Sequence, residues 1–252
     1  MNNNLSNIKK GKYLLDKHNC IGLPTETVYG LAANAYSNKA VLKIFKLKNR
    51  PRNNPLIVHY HSLEMLKKDC IVNKNFLKLY NKFCPGPLTL ILKLKKNSKV
   101  SRFVTNKKNT LAIRFPSHPI SIKLLKILKY PLAAPSANIS SRLSPVTKKH
   151  VEEEFGKKIK YVIEGGNSKI GLESTIINLT ARPEILRLGS LEISKLSKTL
   201  NSKLKYKKKG SLKVSGQNSL HYSPGIPLRM NCKKPNSDEA FILVKKRNKD
   251  DK

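Results

Sequence analysis

Two short segments bring together residue types that could bind a small anionic or polar ligand. Residues 23–31 read Leu-Pro-Thr-Glu-Thr-Val-Tyr-Gly-Leu, and this segment follows a predicted strand. Thr25, Glu26 and Thr27 would therefore lie on a loop at the carboxyl end of that strand, where open α/β sheets commonly bind ligands. The alternative is that the two threonines only cap a turn.

The second segment places cations where a helix ends. Lys48 and Arg50 come just before Pro51, which cannot continue a helix, so we expect both side chains to project from a fixed helix end. An ammonium and a planar guanidinium in this position would suit a polyphosphate. The alternative is that the cations complement the partial negative charge at the C-terminus of the helix.

Apolar periodicity predicts the elements that would position these segments. Helices are predicted over residues 7–18, 74–83, 118–129, 146–155 and 191–200, and over about 41–48, where Asn38 would help to start the helix. Strands are predicted at residues 22–23, 55–60, 88–94, 110–114, 132–134, 160–163, 174–179 and 184–187. The alternation of the two kinds of element predicts an α/β fold with a mixed sheet.

The net charge of the chain is extreme. Its 252 residues include 51 Lys and Arg against 15 Asp and Glu, which gives a formal net charge of +36. Clustered cations supply the phosphate contacts of nucleic-acid-binding proteins, so binding to nucleic acid is one interpretation. Lysine outnumbers arginine by 42 to 9, however, and a biased amino-acid composition explains such a surplus equally well. The position of each arginine is therefore more informative than the total charge.

Apolar runs, cysteines and histidines argue against three other classes of protein. No run approaches the roughly 20 apolar residues of a membrane-spanning helix, and the polar N-terminus does not resemble a signal peptide. The four cysteines lack the close spacing of a disulfide framework or a zinc knuckle. His59 and His61 would share a face of a strand, but no further ligand is spaced to complete a zinc site. We therefore expect a cytoplasmic protein without membrane contact and without its own metal site.

Further segments follow the first two in order along the chain. They are Phe-Cys-Pro-Gly-Pro-Leu-Thr at residues 83–89, Thr-Leu-Ala-Ile-Arg-Phe-Pro at residues 110–116, Pro-Leu-Ala-Ala-Pro-Ser-Ala-Asn at residues 131–138, Ser-Pro-Val-Thr at residues 144–147 and Gly-Leu-Glu-Ser-Thr-Ile at residues 171–176. Together these segments resemble the YrdC family of threonylcarbamoyl-AMP synthases over about residues 8–200. Cys84 departs from the family, which usually has Trp there, and we expect it to be a small buried apolar residue rather than a reactive thiol.

The resemblance implies a fold and a domain organisation. The fold would be a YrdC-like twisted mixed sheet with helices around a basic concave cavity. The catalytic domain would cover residues 1–200 and a linker residues 201–228. Residues 229–252 would be the remnant of a C-terminal domain, with its first strand at residues 240–244, because so short a segment cannot bury a core of its own.

The resemblance also implies an activity. The chain would be an L-threonylcarbamoyladenylate synthase, a nucleotidyltransferase that uses L-threonine, bicarbonate and ATP and releases pyrophosphate. Its product would supply threonylcarbamoyladenosine formation next to the anticodon of tRNA. The implied partners are the tRNA-modifying threonylcarbamoyl transferase complex and, through a weak contact, tRNA itself. Mg2+ is expected to arrive with ATP, and Glu26 and Glu173 are candidate ligands for it.

Roles for single residues follow from the same resemblance. Lys48 and Arg50 would be catalytic and would bind the phosphates of ATP. The other residues implied for ATP binding are Asn54, Thr110, Ser136, Asn138, Ser144, Arg187 and Tyr222. Those implied for threonine binding are Thr27, His59, Arg114, Ala134 through its backbone, and Ser174. Arg114 would hold the threonine carboxylate as a bidentate fork.

Two other functions remain alternatives. A non-catalytic RNA-binding module of the same fold would use the same basic concave surface. A carbamoyl-transfer module of the kind used in hydrogenase maturation would carry an acylphosphatase unit and cysteine-rich zinc motifs ahead of this domain. We do not expect the carbamoyl-transfer module, because the sequence given begins at the domain itself, and the RNA-binding module stays an open alternative.

Overall fold

Most of the predicted strands join in one mixed sheet in the computed structural model, which describes residues 2–206 and 226–242. The strands in these ranges are β1 (Ile21–Leu23), β2 (Gly30–Asn34), β3 (Ile57–His59), β4 (Cys70–Ile71), β5 (Leu88–Leu94), β6 (Thr110–Arg114), β7 (Leu132–Ala133), β8 (Thr175–Asn178), β9 (Glu184–Arg187) and β10 (Lys205–Tyr206). Their order across the sheet is β1-β2-β7-β3-β6-β5-β8-β9-β10, and β4 pairs with β5. The pairs β3 with β6, β5 with β8 and β9 with β10 are parallel, and the other pairs are antiparallel. The prediction of a mixed sheet is therefore confirmed.

Helices flank this sheet. Those in the described residues are α1 (Asn2–Asp16), α2 (Asn38–Lys48), α3 (Leu63–Asp69), α4 (Lys74–Phe83), α5 (Arg102–Thr105), α6 (Pro119–Ile127), α7 (Lys148–Phe155) and α8 (Ile193–Leu200). Side-chain caps explain where several of them begin. The Ser37 hydroxyl accepts a hydrogen bond from the Ala40 amide and caps α2. The capping residue is therefore Ser37 and not Asn38, which we expected to start the helix and which is its first residue.

Most predicted elements agree with the observed ones to within two residues. Helix α1 begins five residues before its predicted start, and residues 160–163 form no named strand but contribute an isolated bridge between Val162 and Gly22. Five elements, β2, β4, β10, α3 and α5, have no counterpart in the prediction. The β2 segment reads Gly-Leu-Ala-Ala-Asn, and such small residues lack the β-branched and aromatic side chains that indicate a strand.

One face of the sheet is covered by helices and holds most of the core. Leu88, Leu90 and Leu92 alternate along β5 toward this face and are fully buried. They belong to one apolar cluster with buried residues of α2, α4 and α8, including Ile44 and Phe76. Alternation along the strands therefore sets which residues face the main helix layer and which face the other side.

The opposite face is covered in part. Helices α1 and α6 pack over β1, β2 and β7 through a second apolar cluster. Farther along this face lies a small third cluster, whose buried members are Ile57, Ile91, Ile176 and Leu186. No helix in the described part of the chain contributes to this third cluster. The helix layer thus stops beside β3 and β6, and the cavity described below opens there.

The C-terminal part of the chain lies outside the predicted catalytic domain. Strand β10 pairs with β9 although its residues fall in the range predicted as a linker. Residues 226–242 form no helix or strand, and residues 240–242, the described part of the predicted first strand, are irregular. The domain limits otherwise stay predictions. Among the helices of the described ranges, none has both the length and the apolar composition needed to cross a bilayer.

Replacement of Leu90 by alanine tests the central place of β5. Leu90 is fully buried, so Leu90→Ala leaves a cavity among packed side chains. We expect the free energy of unfolding, measured by urea denaturation, to fall by about 2–5 kcal/mol. Leu5 on α1 is 57% exposed and provides the matched control, because Leu5→Ala should change that energy by less than about 0.5 kcal/mol. Equal losses in the two variants would contradict this description of the core.

Candidate functional site

A cavity opens on the partly covered face, where the carboxyl ends of β3 and β6 lie side by side. The strand register pairs His59 with Arg114, the last residues of these two strands. We call this site the arginine cavity, because three arginines line it. The predicted site residues in its wall are Thr27, Arg50, His59, Arg114, Ala134, Ser136, Ser174 and Arg187. The fold therefore brings together residues that are far apart in the sequence.

Arg114 is buried at the end of β6 and is paired with Glu26. Its Nη2 donates a hydrogen bond to Glu26 Oε1 over 2.7 Å, and the Ser117 amide donates to Glu26 Oε2 over 3.0 Å. Burial by itself would raise the pKa of Glu26, but the charge of Arg114 and these hydrogen bonds outweigh burial and hold the pKa below its ordinary value. Glu26 is therefore a carboxylate at neutral pH that fixes the guanidinium of Arg114.

Two buried polar atoms in the wall lack partners. Arg114 Nε and His59 Nδ1 have no hydrogen-bond partner among the described residues. Burial, followed by the charge of Arg114, lowers the pKa of His59 well below its ordinary value, so its imidazole is neutral at pH 7. Unpartnered buried polar atoms are uncommon, and in the wall of a cavity they mark places where a ligand can supply the missing partner. A carboxylate matches the planar donors of the guanidinium.

Arg50 enters the cavity through the turn that ends α2. Asn49 adopts the left-handed conformation with φ 47°, and its amide bonds back to the last turn of the helix. Arg50 Nε then donates to the Asn54 carbonyl over 3.1 Å, and Nη2 donates to the Pro55 carbonyl over 2.9 Å. Burial lowers the pKa of Arg50 to about 10, with Glu173 opposing this effect and Arg187 adding to it. The guanidinium therefore remains charged at neutral pH.

Arg187 closes another side of the cavity from the end of β9. Its Nη1 donates to Glu173 Oε2, and its Nε and Nη2 donate to the Ser174 carbonyl over 3.1 and 2.9 Å. The Ser174 hydroxyl lies 2.7 Å from that of Thr89, a residue for which the sequence predicts no role. Glu173 also accepts a hydrogen bond from the Ser144 hydroxyl over 3.2 Å. Carboxylates thus hold two of the three arginines in place.

The prediction that Lys48 projects from the helix end is wrong. Its side chain is fully buried, and Nζ donates to the carbonyl oxygens of Ser136 and Asn138 over 2.5 Å each. Burial, followed by the charge of Arg50, lowers the pKa of Lys48 to about 7. The Lys48 side chain thus joins the end of α2 to the loop that carries Ser136. Its predicted contact with the phosphates of ATP stays a prediction.

Three predicted residues lie behind the wall of the cavity. The carbonyl of Asn54 and the hydroxyl of Ser144 contact wall residues, as described above. Asn138 lies within residues 137–142, which form bends and a turn. Its Nδ2 donates to the Arg142 carbonyl over 2.8 Å, which stabilises the loop. These residues shape the wall and do not line it.

Two further residues predicted to bind ATP are not assigned to the wall of the cavity. Thr110 begins β6 and Arg114 ends it, so that a ligand in contact with both would have to extend along the strand by about 13 Å. Tyr222 lies outside the described residues. Their predicted roles in ATP binding stay predictions.

Thr25 and Thr27 combine the two roles considered from the sequence. The Thr25 hydroxyl donates to the Val28 carbonyl over 2.6 Å and accepts hydrogen bonds from two amides of the same turn. Thr25 therefore caps a turn, as the alternative proposed. Its hydroxyl also lies 2.9 Å from that of Thr27, and both threonines line the cavity.

Cys84 is half-buried against the main core. Burial raises the pKa of its thiol to about 12, so the group is protonated at neutral pH. This agrees with the expectation of a small apolar residue rather than a reactive thiol.

Glu26 and Glu173, the candidate Mg2+ ligands, each accept hydrogen bonds from an arginine and from a neutral donor. Each carboxylate is thus engaged in holding an arginine, and its role as a ligand of Mg2+ stays a prediction. In the part of the chain that the structure describes, no cluster of three or more His, Cys, Asp or Glu residues could hold a metal ion.

The arrangement is suited to a ligand that carries more than one anionic group. Arg114 can receive a carboxylate at one side, and Arg50 and Arg187 can receive phosphates at the other. The enclosed part of the cavity measures about 20 Å3, which is room for one or two groups of the size of a water molecule. A larger ligand would therefore extend onto the open face of the sheet.

The chain is similar to known proteins over most of its length. The family model Sua5_yciO_yrdC, described as telomere recombination, matches residues 13–189. A threonylcarbamoyl-AMP synthase from Pyrococcus abyssi (strain GE5 / Orsay) is 41% identical over 213 residues, which cover 81% of this chain and 62% of that protein. One from Bacillus subtilis (strain 168) is 37% identical over 221 residues, which cover 87% of this chain and 62% of that protein. The chain thus spans about 62% of the length of these curated relatives.

Solved structures show the same fold. The crystal structure of P. abyssi Sua5 complexed with L-threonine superposes with a TM-score of 0.81 at 38% identity, over 86% of this chain and 65% of that one. The structure of E. coli YciO superposes with a TM-score of 0.68 at 24% identity, over 75% of this chain and 92% of that one, and this likeness concerns the fold alone. The expected YrdC-like α/β fold is therefore confirmed.

Replacement of Lys48 by methionine tests the buried amine. Above pH 7 the folded chain releases this proton, whereas unfolded lysine, with an ordinary pKa of 10.5, retains it. The contribution of Lys48 to stability therefore rises with pH between these two values. As the pH rises through this range, we expect the parent chain to gain stability relative to Lys48→Met. The gain in unfolding free energy should reach up to about 1.4 kcal/mol per pH unit.

The measurement is urea denaturation of both proteins at pH 7, 8 and 9. Lys46→Met is the matched control, because Lys46 is an exposed lysine of the same helix turn. Its stability should follow that of the parent chain at each pH. A difference between the parent chain and Lys48→Met that is constant over this range would contradict the lowered pKa.

Proposed function

The chain belongs to the Sua5_yciO_yrdC family, and from this premise we propose that it is an L-threonylcarbamoyladenylate synthase. The reaction joins L-threonine, bicarbonate and ATP and releases pyrophosphate and water. The observation that carries the proposal is the arginine cavity, where cations suited to a carboxylate and to phosphates lie side by side. The P. abyssi relative was crystallised with L-threonine, which supports the same amino acid as substrate here.

The chemical step joins two anions. The amine of threonine and bicarbonate give an N-carboxy species with loss of water. A carboxylate oxygen of this species attacks the α-phosphorus of ATP and forms a new P–O bond. The bond from the α-phosphorus to the oxygen that bridges to the β-phosphorus breaks, and pyrophosphate leaves. Catalysis then depends on positioning the two anions and on compensating their charge.

The threonine side of the site contains Arg114 and its neighbours. The guanidinium of Arg114 binds the carboxylate of threonine as a fork, and its unpartnered Nε supplies one of the donors. Thr27 and Ser174 offer hydroxyls, and Ala134 offers its backbone. Neutral His59 exchanges a hydrogen bond with the substrate without adding charge. These roles agree with those implied by the sequence resemblance.

The nucleotide side of the site contains Arg50 and Arg187. Both guanidinium groups line the cavity and compensate the charge of the phosphates. Ser136 lines the cavity and offers polar atoms to the nucleotide. Lys48 is a positioning residue, because its amine holds the loop that carries Ser136. The remaining residues for which contact with ATP stays a prediction are Asn54, Thr110, Asn138, Ser144 and Tyr222.

The product determines the partners that we propose. L-Threonylcarbamoyladenylate is a mixed anhydride, so an acceptor must take its acyl group. We assign this step to a tRNA-modifying threonylcarbamoyl transferase complex in the cytoplasm. Mg2+ enters the reaction with ATP.

The net charge of +36 supports a second candidate, a non-catalytic RNA-binding module of the same fold. The two candidates differ in a simple measurement. A synthase releases pyrophosphate from Mg-ATP when threonine and bicarbonate are both present. Binding of tRNA that weakens steeply with salt, without threonine-dependent turnover, would select the RNA-binding module instead.

Replacement of Arg114 by lysine tests the synthase proposal. Lysine keeps the charge opposite Glu26 but loses the planar fork. We expect kcat/KM for threonine to fall at least about tenfold, because hydrogen bonds to charged groups contribute about 1.5–3 kcal/mol. The assay measures pyrophosphate release at varied threonine concentration. Arg182→Lys, at an exposed arginine of the turn between β8 and β9, is the control and should leave the rate unchanged.

Removal of Glu26 tests how Arg114 is held. Glu26→Ala deletes the carboxylate that fixes the guanidinium, so we expect KM for threonine to rise at least about tenfold while kcat changes little. Glu26→Gln retains an oxygen that can accept from Arg114 and should restore part of the affinity. A loss of kcat at unchanged KM, or no recovery with glutamine, would argue against this positioning role.

A further inference from the structure

A second concave site lies at the other end of β5 from the arginine cavity. It has a volume of about 470 Å3, and we call it the lysine cleft because five lysines line it. These are Lys67, Lys68, Lys95, Lys99 and Lys129. Thr89, beside the arginine cavity, and Lys95, in the cleft, are separated along β5 by about 20 Å. The two sites are therefore distinct.

A buried carboxylate gives the lysine cleft a fixed floor. Asp69 is 1% exposed, and its Oδ2 accepts hydrogen bonds from the hydroxyls of Tyr36 and Tyr60 over 2.8 and 2.9 Å. Its Oδ1 accepts from the Ser98 hydroxyl over 2.7 Å, and its carbonyl accepts from the Lys95 amide over 2.8 Å. The loop that carries Lys95 and Lys99 is thereby attached to the end of α3. The cations of the cleft consequently come from elements held in fixed relative positions.

Lysines from separate segments converge on the cleft. They make up five of the ten described residues that line it, and two of the ten, Glu64 and Asp69, are acidic. None of the five ammonium groups forms an ion pair within the described part of the chain, whereas four lysines on other surfaces pair with acidic residues. Of the two acids in the cleft, Asp69 is already engaged by three hydroxyls. The cleft therefore presents cations to an external anion.

We propose that the lysine cleft binds the phosphate groups of a single-stranded nucleic acid. Ammonium groups on flexible stems from three segments, α3, the loop after β5 and the loop after α6, suit successive phosphates of a backbone without reading bases. The half-buried ring of Tyr36 and the Met65 side chain also line the cleft and offer apolar surface to a base. Inorganic polyphosphate carries the same phosphate chemistry but has no base to place there.

The test is fluorescence anisotropy of a labelled single-stranded RNA of twelve nucleotides, titrated with the full chain at several salt concentrations. Lys67→Glu with Lys99→Glu reverses two exposed cations of the cleft. We expect binding to weaken at least about tenfold and the salt slope to fall by about 1.4, since each phosphate contact of a single strand contributes about 0.7. Lys157→Glu with Lys158→Glu makes the same change in net charge at exposed lysines outside the cleft and should bind like the parent chain.

Three other results would overturn the proposal. Equal weakening in the two double variants would attribute binding to total charge and overturn the proposal. Arg50→Gln removes a cation from the arginine cavity, so a loss of RNA affinity as large as that of the cleft variant would place the strand there and overturn it too. Inorganic tripolyphosphate should compete more weakly than unlabelled RNA; stronger competition would identify polyphosphate as the occupant and reject the nucleic acid.

This inference does not rest on the proposed synthase activity. Because the cleft lies about 20 Å from the arginine cavity along β5, Lys67→Glu with Lys99→Glu should retain threonine-dependent pyrophosphate release. A chain that binds RNA in the cleft but lacks this activity would refute the synthase proposal alone. A chain that is active but binds RNA equally well with and without the cleft lysines would refute the cleft alone.

Discussion

The arrangement of the loops around the arginine cavity depends on positive charge that is buried near the carboxyl ends of β3 and β6. Lys48, Arg50 and Arg114 are 0%, 8% and 5% exposed, and a cation removed from water is destabilised by several kcal/mol unless other groups replace its hydration. Oxygen atoms of other residues take this role: distant loops supply them for Lys48 and Arg114, and the loop that follows α2 supplies them for Arg50. The loops around the cavity are consequently attached to the ends of α2 and β6 through the cations that a ligand would meet.

The carboxylates of the cavity set its net charge. Glu26 and Glu173 offset part of the charge of the three arginines, and positive charge remains for an anionic ligand. This local balance matters more for binding than the formal net charge of the whole chain, most of which lies on lysines of the surface. A small set of positioned cations therefore accounts for the chemistry of the cavity, and composition accounts for most of the remainder.

The sequence predicts the fold better than it predicts the contacts of the site. Strands β5 and β6 and helix α4 follow from alternation and periodicity, and motif spacing indicates most residues that line the arginine cavity. Helix-end signals do not reveal that Lys48 is buried, because its partners lie 88 and 90 positions away. The pairing of Arg114 with Glu26, 88 positions apart, likewise depends on tertiary structure. The sequence singled out Glu26 between two threonines, but as a candidate ligand of Mg2+ and not as the partner of Arg114.

The bonds from Lys48 to Ser136 and Asn138 have an entropic consequence. Fixing the backbone of a single residue costs about 1–2 kcal/mol, so ordering the three residues 136–138 costs about 3–6 kcal/mol. Because Lys48 fixes this loop as the chain folds, that cost belongs to folding and is not subtracted from the affinity for a ligand. The wall of the cavity is thus preorganised, and a ligand that enters it meets a surface whose freedom has already been lost.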